Sequence, residues 1–204
     1  MNFFYLHTDP YKIAVAHADG HVNKMISEYS QLLSTAIRIS YSPKPTTVFK
    51  LSPKTNQLRK KKLYVVHTDV IDENNVLQDY KVMLNTHENH PCNVWARKSF
   101  SNFSLLTEVL YNLHEYRWKQ DMGKKDHASY VRTMTALQHL NLNKLPEGPI
   151  TIPARAMPIH YYRPNVVESY RCYYNNKLRD WLADPKKARY AQYTNRAKPT
   201  WLYV

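Results

Sequence analysis

Glycine is scarce in this sequence, with three residues in a chain of 204. Loops that cradle nucleotide phosphates use glycine because it allows positive φ angles and close backbone approach. Neither G-x-G-x-x-G nor G-x-x-x-x-G-K-[ST] occurs, and the H-E-x-x-H, G-x-S-x-G and zinc deaminase signatures are missing too. These absences exclude the common nucleotide-cofactor enzymes, zinc proteases, α/β-hydrolases and zinc deaminases.

Cysteine is rarer still: Cys92 and Cys172 lie far apart, without a second ligand at zinc-binding spacing. This pattern supports neither a disulfide framework nor a zinc finger. His87 and His90 are close in sequence, but a metal site needs three or four converging ligands, so we expect no metal and no cofactor. No apolar run reaches about 18 residues and no basic leader opens the chain, which predicts a cytoplasmic protein without a membrane segment, in the host cytoplasm if phage-encoded.

Acidic residues are also few, since 16 Asp and Glu stand against 29 Lys and Arg, for a formal net charge of +13. A chain this basic repels itself unless it meets an anionic partner, and nucleic acid is the commonest such partner. We therefore expect the partner to be nucleic acid, in the form of double-stranded DNA. The alternative is a basic surface that serves no specific partner, and the oligomeric state is left open.

Hydrophobic spacing and capping residues predict a mainly α protein, a single compact helical domain over residues 1–204 with long basic loops and room for a short strand pair. Residues 41–62 hold Ser-Pro-Lys-Pro and Arg-Lys-Lys-Lys, which indicate an exposed basic loop. Residues 145–164, with five prolines, predict an irregular connection to a C-terminal helix and tail at 165–204. The expected helices cover 10–17, 19–39, 96–118, 129–140 and 165–184, and extended segments are expected at 3–6 and 63–66.

The expected helix at 19–39 carries the best candidate site, because its polar residues form one strip beside an apolar side. The strip consists of His21, Lys24, Glu28, Gln31, Thr35 and Arg38. A carboxylate held beside cations can act as a general base or stabilise a cationic transition state, and Lys24 is an i,i+4 neighbour of Glu28. The alternative is a solvated face with one ion pair worth about 0.3–0.5 kcal/mol.

Several motifs together resemble an uncharacterised phage-type family, over nearly the whole chain. They are Asp19-Gly20-His21-Val22-Asn23-Lys24-Met25-Ile26-Ser27-Glu28 with 31–36, Asn89-His90-Pro91-Cys92 with Trp95-Ala96-Arg97, Ala156-Met157-Pro158, and Tyr170-Arg171-Cys172-Tyr173-Tyr174 with Lys177 and Trp181. This resemblance implies no particular reaction.

Two features of the sequence also resemble the phage pyrimidine-dimer DNA glycosylases of the endonuclease V type, which are small basic helical proteins that act through an amine and a glutamate. They are Ala18-Asp19-Gly20-His21 followed by Glu28, and the ending Lys198-Pro199-Thr200-Trp201. The resemblance implies that Glu28 is the catalytic carboxylate and His21 a DNA-contacting or orienting residue. It also implies Arg38 or Lys24 as a phosphate clamp.

The sequence departs from that family at the nucleophile. The family uses the α-amine of a threonine exposed by removal of the initiator methionine, whereas Asn2 is too large to favour that removal. Three possibilities remain open: Met1 supplies the amine, Lys24 supplies it, or the protein performs no imine chemistry. Pairing with Glu28 counts against Lys24, because it favours the ammonium over the neutral amine that must attack.

Basic residues elsewhere are expected to contact DNA, and phosphate contacts would make the affinity salt-sensitive. Besides Arg38, these are Arg59, Lys60, Lys61, Lys62, His90, Arg97, Arg117, Lys124, Lys125, Arg171 and Lys177. The alternative for the clusters at 59–62 and 117–125 is a solvated loop and a solvated helix end. A group of tyrosines can stack on bases or pack in the core: Tyr161, Tyr162, Tyr170, Tyr173 and Tyr174.

Our first hypothesis is therefore a pyrimidine-directed DNA glycosylase, or another base-processing enzyme, that flips a base out of the duplex and acts at its sugar with Glu28. One alternative is a nucleic-acid-binding protein without catalytic chemistry. The other is an enzyme that modifies free nucleotides.

Overall fold

The computed structural model describes residues 2–41, 46–52, 54–63, 67–71, 77–79, 82–140 and 142–204. Helices make up most of these residues, which confirms the mainly α class. The six α-helices described are α1 (Pro10–Val15), α2 (Asp19–Tyr41), α3 (Pro91–Ala96), α4 (Phe100–Asn112), α5 (Ala128–His139) and α6 (Val166–Ala183). A π-helical segment (Leu113–Asp121) continues α4, and short 3₁₀ turns lie at Leu142–Lys144, Ile159–Tyr161 and Ala188–Ala191.

Helix α2 is the centre of the fold and packs against α3, α4, α5 and the π-helical segment. It runs two residues beyond the expected end at 39. The apolar side that the sequence predicts is almost fully buried: Val22, Met25, Ile26, Tyr29, Leu32, Leu33, Ala36 and Ile37. The predicted periodicity is therefore confirmed, and burial of this side accounts for most of the stabilisation of α2.

The first residues of the chain are buried, as expected for 3–6, although they form no strand. The ring of Phe3 stacks on Trp95, with centroids 5.0 Å apart. The ring of Phe4 stacks on Tyr173 at 5.8 Å. Because Trp95 belongs to α3 and Tyr173 to α6, the start of the chain is held between two helices that are far apart in sequence.

The helix expected at 96–118 is formed by α4 and its π-helical continuation, and a separate short helix, α3, precedes it. His90 caps α3 by accepting a hydrogen bond from the Cys92 nitrogen, and Pro91 occupies the first helical turn. A new helix starts where the Ser99 hydroxyl accepts from the Asn102 nitrogen at 3.2 Å. The helix thus begins four residues later than expected, because its start is set by the Ser99 cap and not by the apolar spacing.

The expected basic loop at 41–62 contains a β-hairpin instead. Strand β1 (Thr46–Leu51) pairs antiparallel with β2 (Leu58–Leu63). The intervening turn is closed by Ser52, whose nitrogen donates to the Gln57 oxygen at 2.8 Å. Threonine, valine and phenylalanine in β1 favour strand geometry, and this preference outweighs the nearby prolines. A second small pair joins β3 (His67–Ile71) and β4 (Leu77–Asp79), while the strand expected at 63–66 lies outside the described residues except for Leu63, the end of β2.

Arg117, expected on the DNA-binding surface, is instead fully buried in the π-helical segment. Its guanidinium donates to Asp19 Oδ1 at 2.7 Å and to Asp121 Oδ2. Asp19 also accepts from the Thr194 nitrogen and hydroxyl. The expected DNA contact is therefore wrong for Arg117, which ties the start of α2 to the π-helical segment.

Replacing Arg117 with methionine should lower the free energy of unfolding by about 3 kcal/mol, because it leaves two carboxylates with little solvent and no cation. Urea unfolding followed by circular dichroism measures the change. Arg132→Met, at an exposed position of α5, is the matched control and should change stability by less than about 0.5 kcal/mol. Equal losses in the two variants would contradict the assigned role.

Candidate functional site

The candidate site is built around Asn2, whose side chain is almost fully buried. Its amide nitrogen donates to the Ala156 oxygen at 2.8 Å. Its amide oxygen accepts from the Tyr170 hydroxyl at 3.2 Å and from the Cys92 thiol at 3.5 Å. These three partners come from three different segments singled out in the sequence, so those segments converge on the first residues of the chain.

This arrangement places the backbone nitrogen of Asn2 against a carboxylate. It donates to Glu28 Oε2 at 3.0 Å, while Lys24 Nζ lies 3.5 Å from Glu28 Oε1. The Glu28 side chain is 15% exposed, whereas that of Lys24 is 59% exposed. Glu28 is therefore an acceptor shared between the main chain near its start and a solvent-facing ammonium group.

His90 and Cys92 line the side of the site formed by α3. Burial, supported by the positive charges of the amino terminus and His87, lowers the pKa of His90 despite the opposing charge of Glu28. Burial also raises the pKa of the Cys92 thiol. At neutral pH the imidazole is therefore uncharged and the thiol protonated, which leaves Cys92 unsuited to act as a nucleophile.

His21 lies beneath the site and is fully buried. Its Nδ1 is 3.1 Å from the Tyr174 hydroxyl, and that hydroxyl accepts a hydrogen bond from the Ala18 nitrogen at 2.8 Å. Burial, together with the charges of His17 and Lys177, holds the pKa of His21 well below its usual range. Direct DNA contact by His21 is therefore excluded, whereas its orienting role stays a prediction.

Lys177 belongs to the same site, although the sequence suggested only DNA contact for it. Its ammonium lies over the Trp181 ring, 5.4 Å from the centroid. Burial and then the charge of Lys24 lower the pKa of Lys177, against the opposing effects of Glu28 and Asp180. The ammonium of Lys177 is thus half-buried and close enough to Glu28 for their charges to interact. The position of Lys177 in the sequence does not predict this proximity.

Two further residues expected to contact DNA form hydrogen bonds to backbone oxygens of the protein instead. Arg38 is 1% exposed, and its guanidinium donates to the backbone oxygens of Met83 and Val82 at 2.8 and 2.7 Å. This burial excludes a role as phosphate clamp. Arg97 donates to the Glu88 oxygen at 2.7 Å and thereby braces the loop that carries His90.

The remaining basic residues are distributed over separate surfaces. Arg59, Lys60, Lys124 and Lys125 are exposed and open to solvent. Arg171 lies over the Trp201 ring and lines a different cleft together with His7, Lys12 and Arg196. Lys61 and Lys62 lie in β2, and their side chains are outside the described structure.

The tyrosines divide between the two expected roles. Tyr170 and Tyr174 are buried and act in packing and hydrogen bonding. Tyr161, Tyr162 and Tyr173 keep part of their surface exposed. Base stacking thus stays a prediction for the second group alone.

Comparison of the chain with protein-family models, with curated proteins and with solved structures found no match. Within the described ranges, no three histidine, cysteine or acidic side chains converge as a metal site requires. None of the helices described is both long and apolar enough to cross a bilayer. The fold and site define a mainly helical protein whose central feature is a carboxylate surrounded by nitrogen groups.

His17 makes the stability of this region depend on pH. It is fully buried, and its ring nitrogens contact the Ile13 oxygen at 2.8 Å and the Tyr29 hydroxyl at 3.0 Å. Burial lowers the pKa of His17 to about 4. The unfolded chain takes up a proton near pH 6.5, so the stabilisation is complete above that pH and declines as the pH falls toward 4.

The free energy of unfolding of the wild-type protein should fall by about 2.5 kcal/mol between pH 7.5 and 4.5 owing to His17, with a further loss from His21. Urea unfolding at both pH values measures this difference. In His17→Gln the loss on acidification should be smaller, even if the variant is less stable at pH 7.5. An unchanged loss would show that another group is responsible.

Proposed function

We propose that this protein is a DNA base-excision enzyme, a pyrimidine-directed glycosylase that acts on duplex DNA with Glu28 as its central carboxylate. The observation that supports the proposal best is the 3.0 Å hydrogen bond from the Asn2 nitrogen to Glu28 Oε2. Asn2 is held there by side-chain contacts to Cys92, Ala156 and Tyr170. The start of the chain therefore places a main-chain nitrogen against a carboxylate that is 15% exposed.

Base excision through an imine requires an amine beside a carboxylate. A neutral amine attacks the sugar C1′ atom while the base departs with the electrons of the glycosidic bond and gains a proton. The attacking nitrogen then loses a proton, and the C1′–O4′ bond breaks while O4′ gains a proton, which opens the sugar ring and yields a protonated imine. A carboxylate beside the amine stabilises the positive charge that develops on the sugar and accepts the proton of the nitrogen.

The amine at the start of the chain is the nucleophile that the geometry favours. The α-amine of Met1 is one residue from the Asn2 nitrogen, which contacts Glu28 Oε2 at 3.0 Å. An α-amine has an ordinary pKa near 8, about two units below that of lysine, so more of it is neutral at pH 7. Lys24 is exposed and paired with Glu28, and is therefore the weaker candidate. Lys177, whose pKa is lowered mainly by burial, is the alternative nitrogen.

The charge of the protein supports a DNA partner. The net charge is +13, and Arg59, Lys60, Lys124 and Lys125 are exposed. Each phosphate contact releases a counterion and makes binding more salt-sensitive. A nucleic-acid-binding protein without chemistry would need the same surface, and in it the contact between Asn2 and Glu28 would serve only to hold the start of the chain. An enzyme of this kind would act in the cytoplasm, that of the host if phage-encoded.

Borohydride trapping on duplex oligonucleotides tests the proposal. The duplexes carry an abasic site, a pyrimidine dimer or a modified pyrimidine. Wild-type protein should form a covalent adduct on at least one of them. Glu28→Gln should reduce trapping by about 100-fold or more while DNA binding persists, because the amide retains the shape of the side chain but not its charge. Glu108→Gln, at an exposed position on α4, is the matched control and should trap like the wild-type protein.

A peptide map of the trapped adduct assigns the nucleophile. Attachment at the amino terminus would support the α-amine as the nucleophile. Attachment at Lys177 or Lys24 would identify a lysine as the nucleophile and leave Glu28 as the central carboxylate. Salt-sensitive binding without trapping or strand scission on every duplex would sink the glycosylase proposal in favour of a binding protein. Binding of mononucleotides as strong as that of duplex would favour an enzyme acting on free nucleotides.

A further inference from the structure

The hairpin of β1 and β2 has one face whose composition is unusual for a surface. The antiparallel register places Phe49 opposite Lys60 and Leu51 opposite Leu58. Directly paired residues of antiparallel strands point to the same side, and so do residues two apart along a strand. These four side chains therefore share one face, which we call the hairpin face.

The apolar side chains of the hairpin face are open to solvent. Phe49 is 66% exposed, Leu51 58% and Leu58 70%. Among the described elements, β1 and β2 pack chiefly on each other. An isolated two-stranded hairpin has little stability of its own in water, and clustered exposed apolar groups mark interaction sites. The hairpin is thus suited to gain stability from a partner.

The charge around the hairpin face identifies the chemistry of that partner. Residues 46–63 include no aspartate or glutamate and six cations: Lys50, Lys54, Arg59, Lys60, Lys61 and Lys62. A polyanion is the partner that such a segment fits best. The major groove of duplex DNA admits a two-stranded β-ribbon, and apolar side chains inserted between base pairs unstack and kink the duplex.

The hairpin also lies beside the candidate active site. Lys60 lines a surface cleft together with the loop at 85–90, which includes His87 and His90. His90 is close enough to Glu28 for the charge of that carboxylate to oppose the lowering of its pKa by burial. The loop is therefore near both the hairpin and the carboxylate. A duplex bound at Glu28 would therefore pass close to the hairpin.

We propose that the hairpin enters a groove of duplex DNA next to the reacting nucleotide and that Phe49 acts as a wedge that unstacks the neighbouring base pairs. The cations of the hairpin hold the phosphates on either side. Because base excision needs the nucleotide outside the stack, prior unstacking reduces the free energy required for flipping. This inference rests on the duplex partner of the proposed function but not on the chemistry at Glu28.

Fluorescence of a duplex with 2-aminopurine beside an abasic site tests the inference, because 2-aminopurine brightens when it is unstacked. Wild-type protein should increase the fluorescence. Phe49→Ala should lose about half of the increase or more, with binding reduced less than about tenfold because the cations remain. Phe100→Ala, the same change at an exposed position at the start of α4, should behave like the wild-type protein.

A charge variant provides a second readout. Arg59→Gln with Lys60→Gln removes two exposed cations and should reduce the slope of log affinity against log salt concentration by about two. Both positions are exposed, so the far-ultraviolet circular dichroism spectrum should stay the same. An unchanged slope would contradict the role of the hairpin in holding phosphates.

The outcomes separate this inference from the proposed function. Fluorescence that depends on Phe49 without borohydride trapping would support the wedge and sink the glycosylase. Trapping that depends on Glu28 with identical fluorescence in Phe49→Ala and wild type would sustain the glycosylase and overturn the wedge. Hairpin-dependent binding to vesicles containing anionic lipid, without binding to duplex, would also overturn it.

Discussion

The candidate site depends on the burial of the first residues of the chain. Phe3 and Phe4 insert their rings between α2, α3 and α6, where Phe3 stacks on Trp95 and Phe4 on Tyr173. Burial of a phenylalanine side chain contributes on the order of 1.5–3 kcal/mol, so the two rings together contribute several kcal/mol. Because the rings pack tightly, this gain exceeds the conformational entropy lost on ordering a few residues. The polar contacts of Asn2 then fix the direction in which the main chain leaves the core.

Neighbouring residues of α2 divide the work of holding this segment. Tyr29 faces the core, and its hydroxyl accepts from the Phe4 nitrogen at 3.3 Å, while Glu28 faces outward and accepts from the Asn2 nitrogen. Burial lowers the pKa values of His21 and His90, so both imidazoles stay neutral beside the nitrogen groups. The carboxylate thus meets fewer positive charges than the sequence suggests, so an amine next to it is favoured in its charged form until its proton is removed.

The sequence predicted the features that depend on local order and missed those that depend on distant partners. The apolar side of α2, the start of α1 at Pro10 and the start of α6 within one residue of 165 follow from periodicity and capping, and all three are confirmed. Helix periodicity cannot tell whether a cation faces solvent or a buried carbonyl, so the burial of Arg38 and Arg117 was not foreseen. The hairpin was missed because the basic residues of β2 hid its alternation, and the contact between Asn2 and Glu28 spans 26 residues that no local pattern connects.

The central claim is that the nitrogen at the start of the chain performs chemistry with Glu28, and selective blocking of the α-amine tests it most directly. The amine would be removed by transamination under conditions that leave lysines intact, and the protein would then be assayed for trapping, duplex binding and thermal unfolding. The account predicts that trapping is lost while duplex binding and unfolding temperature change little. Full trapping by the blocked protein would contradict the account and would place the nucleophile on a lysine side chain.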